Sequence, residues 1–171
     1  MDFLDLAKSR HSVRSYRPDK VEAEKVASLV EAARVAPTAA NLQPARLVVA
    51  QSAASLEAMG AAANLYGAPL AFVVCVDRSR AWVRPFDGKS TADIDAAIAC
   101  DHLMMQATSL GLGSVWICYF KPDKLKQALS IPAELDPVNI LAVGYTDEPA
   151  SDPRRYATDR IPADELIVAT A

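Results

Sequence analysis

DIDAAIACDHLMMQATSL, residues 93–110, has helical spacing and almost no polar side. Ile94, Ile98 and Met105 share one face, and Ala96, Ala99, Cys100, Leu103, Ala107 and Leu110 cover most of the rest. A surface helix keeps a polar stripe, so one that is apolar nearly all round is either the centre of a core or part of an oligomer interface. In a chain of 171 residues a symmetric dimer contact is expected. Asp101 falls on the Ile94 face. A carboxylate there needs a partner or water, and it is read as a solvated group at the interface rim. Thr91 or Asp93 caps the helix and Gly111 stops it.

Outward from this helix, further helices and strands alternate with irregular connections. Asp2 caps a first helix with Phe3, Leu4, Leu6 and Ala7 on its apolar face. A helix spans Val21 to Ala36 and is closed by Pro37. PTAANLQPA (37–45) is an irregular loop. Strands are expected at Leu47–Ala50, Leu70–Val76, Ser114–Phe120 and Val138–Val143, the second fully buried. Ser52 caps a helix to about Ala62, and Pro122–Leu129 forms a short one. Residues 77–91 are the most polar stretch, yet hold Trp82 and Phe86. With no repeat and no linker, residues 1–171 are expected to form one domain of α+β or mixed α/β class, a sheet with helices packed on it.

The composition narrows function. Apolar residues are 51%, charged residues 23% and the net charge −3. This is a globular chain without the basic surplus of a nucleic-acid binder. Three dispersed cysteines without a CxxC read as buried thiols in a reducing compartment, and two histidines make a zinc site improbable. The N-terminus fits no export pattern, and no apolar run approaches the roughly 20 residues of a membrane span. A soluble cytoplasmic protein is expected. Gly111-Leu112-Gly113 follows a helix and precedes a strand, the reverse of a dinucleotide fingerprint. No P-loop and no GxSxG elbow occurs.

One feature of the charge pattern calls for a ligand. RHSVRSY (10–16) gathers Arg10, His11 and Arg14 close to Arg17. Such a cluster repels itself unless an anion is near. Arginine's planar fork suits phosphate, and Ser12 supplies a hydroxyl. The 37–45 loop adds Thr38, Asn41 and Gln43, whose amides both donate and accept. Arg160 is a third basic element. Taken together these describe a phosphorylated heterocycle.

RHSVRSY, APTAANLQPA (36–45), DAAIACDHLMMQATSLGLGSVWIC (95–118) and DRIPADELI (159–167) together resemble the nitroreductase family of flavoproteins, in its shorter members, over nearly the whole chain. The resemblance implies an α+β fold with a central mixed or antiparallel sheet flanked by helices. It also implies an intertwined homodimer with FMN at the subunit interface. Arg10, Ser12 and Arg160 would hold the FMN phosphate, with contacts from His11, and Arg14 would lie near the flavin N1/O2 edge. Pro37, Thr38, Ala39 and Asn41 of the other subunit would line the ring, with Gln43 close by. Trp116, Ile117, Cys118 and Tyr119 would pass the ring, a backbone N–H of Cys118 or Tyr119 reaching N5. The implied chemistry is ping-pong: hydride from NADH or NADPH to the flavin, then electrons to a nitroaromatic, quinone or other small electrophile. The flavin carries the hard step, so no catalytic side chain and no metal is needed. The alternatives are a flavin-binding protein without turnover and a specialised branch performing dehalogenation, flavin cleavage or azoline oxidation.

The chain departs from the family pattern at three places. Thr158 and Asp159 stand where a basic residue often precedes the C-terminal Arg, so Asp159 should point away, with Arg154 or Arg155 compensating. Ala45 replaces an aromatic and widens the pocket. Asn64 is the candidate for a polar ring contact before Pro69. Trp82 and Phe86 are candidates for a lid over the ring, or for packing on the partner subunit.

Overall fold

The run LAFVVCV at 70–76 has no polar side chain and is rich in β-branched residues, a pattern that suits a strand covered on both faces. A computed structural model describes residues 2–170; Met1 and Ala171, the ends of the expected domain, lie outside the described residues. In it β2 (Leu70–Asp77) is buried from Leu70 to Val76. It pairs with β4 (Leu135–Gly144) on one side and β1 (Ala45–Ala50) on the other, and β3 (Gly113–Ile117) completes the order β1-β2-β4-β3. Every pairing is antiparallel. The fold is therefore α+β, with an antiparallel sheet of four strands.

The two-residue period of the strands divides the core. Leu70, Phe72, Val74, Leu141 and Val143 face α2 (Ala23–Arg34) and α4 (Ala92–Ser109). Ala71, Val73, Cys75, Ile140 and Ala142 face α3 (Ala53–Met59) and α5 (Pro122–Leu129), meeting Met59 and Leu125. Burial raises the Cys75 thiol to about 11 and pushes Cys100 up as well.

Helix α4 spans the expected stretch. It buries Ala92, Ala96, Ala99, Cys100, Leu103 and Ala107, mostly small side chains that let it lie close to the sheet. Gly111, with φ +73°, turns the chain after it. Its other stripe is uncovered: Ile94 is 51% exposed and Asp101 is exposed, as expected of a solvated carboxylate. Helix α1 (Phe3–Ser9) is capped by Asp2, whose Oδ1 accepts from the Asp5 N–H at 2.8 Å. It buries none of its residues; Phe3 and Leu4 are 73% and 60% exposed. Between α1, α2 and α4 lies an open cavity of about 420 Å³, with Phe3, Leu6, Val35 and Met105 in its walls.

Several expected boundaries moved. The strand expected at 114–120 ends at Ile117, where its pairing with Ile140 stops. β1 begins at Ala45 rather than Leu47. β4 begins at Leu135 despite Pro137. That proline stands opposite Cys75, where the β2–β4 register shifts, and β3 no longer flanks it on the other side, so its missing N–H costs no ladder bond. The helix after Ser52 stops at Met59, whose carbonyl accepts from both Ala62 and Ala63. The polar stretch 77–91 forms a small hairpin with a Val83–Ser90 bridge and a two-bond Arg84–Asp87 pair at 2.6 and 2.8 Å.

Gly144 ends β4 under Pro69. A Cβ there would stand 2.6 Å from Pro69 Cδ and 3.1 Å from the Tyr16 ring. Gly144→Ala is expected to cost about 1–3 kcal/mol through overpacking, measured as a lowered urea midpoint at unchanged slope.

Candidate active site

The basic segment 10–17 is held on the outer edge of β3. Ser12 bridges Ser114 in parallel, and the Val13 N–H donates to the Ser114 carbonyl at 3.0 Å. Val13 is buried, so strand alternation turns Ser12 and Arg14 the other way. A Cβ on Gly113 would lie 2.8 Å from Val13 Cγ2, so the close approach depends on that glycine. Further along, the Arg14 N–H donates to Glu148 Oε1 at 2.8 Å, the Thr146 hydroxyl to the Ser15 carbonyl at 2.7 Å, and the Arg17 N–H to the Tyr145 carbonyl at 2.8 Å.

Tyr156 brings the C-terminal segment to the same place. Its Oη lies 3.1 Å from the Lys8 carbonyl and 3.3 Å from that of Arg10, and it accepts from Arg155 Nη2 at 2.7 Å. Arg155 Nη2 also donates to the Arg10 carbonyl at 3.0 Å. The Arg160 guanidinium lies 5.2 Å from the Tyr156 ring centre. Of the two compensating candidates, Arg155 is at the site, while Arg154 is turned out and bound to Asp152. The Asp159 carboxylate is occupied by the Thr158 hydroxyl at 2.9 Å.

The charge pattern here is uncompensated. Arg17, Arg34, Arg78, Arg84 and Arg154 each pair with a carboxylate. Among the described residues, Arg10, Arg14, Arg155 and Arg160 at this site have no such partner, nor do Arg46 and Arg80 elsewhere. Buried polar atoms normally find a hydrogen bond. Among the described residues four buried polar atoms have none: His11 Nε2, Ser114 Oγ and Arg155 Nε, which belong to this segment or to residues bonded to it, and Asn139 Oδ1 in β4. His11 Nδ1 lies 3.5 Å from the Ser9 carbonyl.

The second expected element is at the other end of α4. In the loop 37–44, Ala40, Asn41 and Gln43 all have positive φ, near +50°. Such conformations are costly for residues with a Cβ and concentrate at functional sites. The Gln43 N–H donates to Thr38 Oγ1 at 3.0 Å, and Gln43 Nε2 donates to the Asn41 carbonyl at 3.1 Å. The Ala39 N–H donates to Asp95 Oδ1 at 3.0 Å, in the first turn of α4. Arg10 and His11 instead share a small cavity with Thr108 and Gly111, at the last turn of α4 and just beyond it. Thirteen residues of helix separate Asp95 from Thr108, about 20 Å. One chain therefore does not bring the two elements together.

The third element lies partly in the sheet. Trp116 is half-buried and Ile117 buried, whereas Cys118 and Tyr119 lie beyond the strand and are exposed. The Asn64 side chain accepts from the Tyr66 N–H at 2.9 Å, and Tyr66 lies 6.0 Å under the Arg14 guanidinium. Trp82 is half-buried and Phe86 is 93% exposed at the hairpin tip.

Sequence reasoning missed two residues. By sequence Asp95 is an ordinary acid in the first turn of a helix, where acids suit the helix dipole, and only the fold buries it. Tyr156 lies in an irregular, proline-containing tail with no periodicity to mark it.

Comparison with known proteins identifies the family. The family model described as "Nitroreductase family" matches residues 7–64 and 54–145. A nitroreductase family protein of Clostridium difficile 630 has a crystal structure that superposes with a TM-score of 0.95 at 46% identity, covering 100% of this chain and 99% of that one. A nitroreductase family protein of Clostridium novyi NT gives 0.76 at 28% identity, covering 91% and 92%. An NADH dehydrogenase of Thermus thermophilus is 26% identical over 201 residues, 98% of this chain and 96% of its own. The chain belongs to the nitroreductase family.

Tyr156→Phe keeps the ring and removes the hydroxyl that ties the tail to Lys8 and Arg10. A loss of about 1 kcal/mol is expected, with faster tryptic cleavage after Arg160 in the native state.

Proposed function

We propose that this chain is an FMN-dependent NAD(P)H oxidoreductase, one domain acting as a homodimer on a small electrophile such as a nitroaromatic or quinone. The observation that carries the reading is the cradle at β3: the Arg10, Arg14 and Arg160 guanidinium groups form no ion pair, the Glu148 carboxylate there being bonded to the Arg14 main chain, and they stand beside buried polar atoms without a partner. Family membership supports the same reading. A phosphate fits this donor set, which holds planar guanidinium forks, a hydroxyl and main-chain groups.

Arg10, Ser12 and Arg160 would hold the phosphate, with Arg155 fixing the Arg10 carbonyl beneath them. Arg14 would supply a fixed positive charge to stabilise negative charge on a reduced flavin. FMN, when bound, supplies two-electron hydride chemistry. The side chains are left to bind, orient and exclude water. Asn64 and Tyr66 stand near the Arg14 side of the site, and the main chain at Cys118 and Tyr119 lies at the end of β3.

The 37–44 loop would reach the ring of the partner's site, because α4 separates it from the Arg cradle of its own chain. A second copy would also cover the exposed side chains of Phe3, Leu4, Val35 and Ile94. Buried thiols at Cys75 and Cys100 suit a reducing, cytoplasmic setting.

The direct test is the visible spectrum of the purified protein, followed by anaerobic NADH and NADPH. A flavin band that bleaches is expected. A flavin band that neither nucleotide bleaches would point to a binding protein without turnover. Arg10→Ala with Arg160→Ala removes two charge-assisted contacts, each worth about 1.5–3 kcal/mol. At least a hundredfold weaker FMN binding is expected, and unchanged flavin content in the double variant would overturn the phosphate assignment.

A further inference from the structure

Asp95 is a buried acid to which the proposed reaction gives no role. Its side chain is 1% exposed, and among the described residues it has no cationic partner. Burying an unpaired carboxylate is costly, and a plain apolar side chain would serve the core better. What the carboxylate does hold is specific. Oδ1 accepts the Ala39 N–H at 3.0 Å, and Oδ2 lies 3.3 Å from the Thr91 hydroxyl. That hydroxyl is also 3.2 Å from the Trp82 carbonyl. One side chain in the first turn of α4 therefore joins the start of the 39–43 turn to the base of the 78–91 hairpin.

The turn needs such a hold. Three of its five residues, Ala40, Asn41 and Gln43, have left-handed backbone without being glycine. Such a backbone persists only where its surroundings over-determine it. The Thr38 and Asn41 contacts lie within the loop and move with it. At the end of the turn Arg46 Nη1 of β1 donates to the Gln43 carbonyl at 2.9 Å; its start is fastened by the Asp95 bond to a core helix, whose own position is fixed by Ala92, Ala96 and Ala99 against the sheet.

We propose that Asp95 is a positioning residue: by holding the Ala39 amide it fixes the strained 39–43 turn, and through Thr91 it registers that turn with the hairpin carrying Trp82 and Phe86, so that both meet the flavin ring and the acceptor as one rigid wall. The inference rests on the reading that this loop lines a flavin site. The carboxylate acts as a hydrogen-bond acceptor and not through its charge. Asparagine should therefore replace it: its Oδ1 accepts the Ala39 N–H while its amide donates to the Thr91 oxygen.

The test is amide hydrogen exchange together with FMN titration on the full chain. In the wild type the Ala39 amide is expected to exchange at least a hundredfold more slowly than a solvated loop amide. In Asp95→Ala that protection should fall at least tenfold, with FMN binding at least tenfold weaker. Asp95→Asn should stay within threefold of the wild type in both. An unprotected Ala39 amide in the wild type overturns the proposal and needs no variant, so misfolding of Asp95→Ala cannot shield it. Unchanged protection in Asp95→Ala overturns it as well, and an Asp95→Asn protein as impaired as Asp95→Ala overturns the acceptor role. A wild-type chain that binds no FMN defeats the flavin reading by itself, while the exchange data still decide what Asp95 holds.

Discussion

The pairing of β2 with β4 is the constraint on which the rest of the molecule hangs. Both strands run through the middle of the sheet, and the register that sets Phe72 opposite Leu141 also sets Val73 opposite Ile140. Because the side-chain period is two, a slip of one residue would exchange the faces. Here it would bring the residues shaped for α4 against α3 and α5. Both faces are covered, so both cores enforce one register. Each edge strand then has one place to go, and with each edge comes one part of the site.

That division explains the site's layout. β3 carries the Arg10–Arg14 segment on its free edge, while β1 begins directly after the 37–44 loop at the opposite edge. Helix α4 spans the distance between them, its first turn bonded to the loop and its end beside the Arg segment. The helix is thus both the centre of one core and the spacer that keeps the two halves apart. An arrangement that separates complementary halves within one chain is well suited to joining them across two.

The electrostatics follow a consistent plan. Arg17, Arg34 and Arg84 are tied to nearby acids, in pairs that are largely exposed and of small energetic weight. At the site the arginines are fixed by main-chain bonds and by the Tyr156 ring. Their guanidinium groups form no ion pair among the described residues. The one acid of the turn preceding Arg160, Asp159, is occupied by its neighbour Thr158.

Much of this was written in local sequence. The period of β2, the all-round apolar α4 and the cap at Asp2 are short-range signals that depend on side-chain spacing alone. The Arg cluster pointed to an anion already in the sequence, because like charges so close together need compensation wherever the chain folds. The edges of elements were less legible: β3 leaves the sheet after Ile117 although β4 runs on to Leu135, and Pro137 sits inside β4 where a register shift accommodates it. Asp95 and Tyr156 lay beyond the sequence altogether. Whether an acid is buried, and which carbonyl a tyrosine reaches 146 residues away, depends on contacts between segments far apart in the chain, and those exist only once the sheet has set its register.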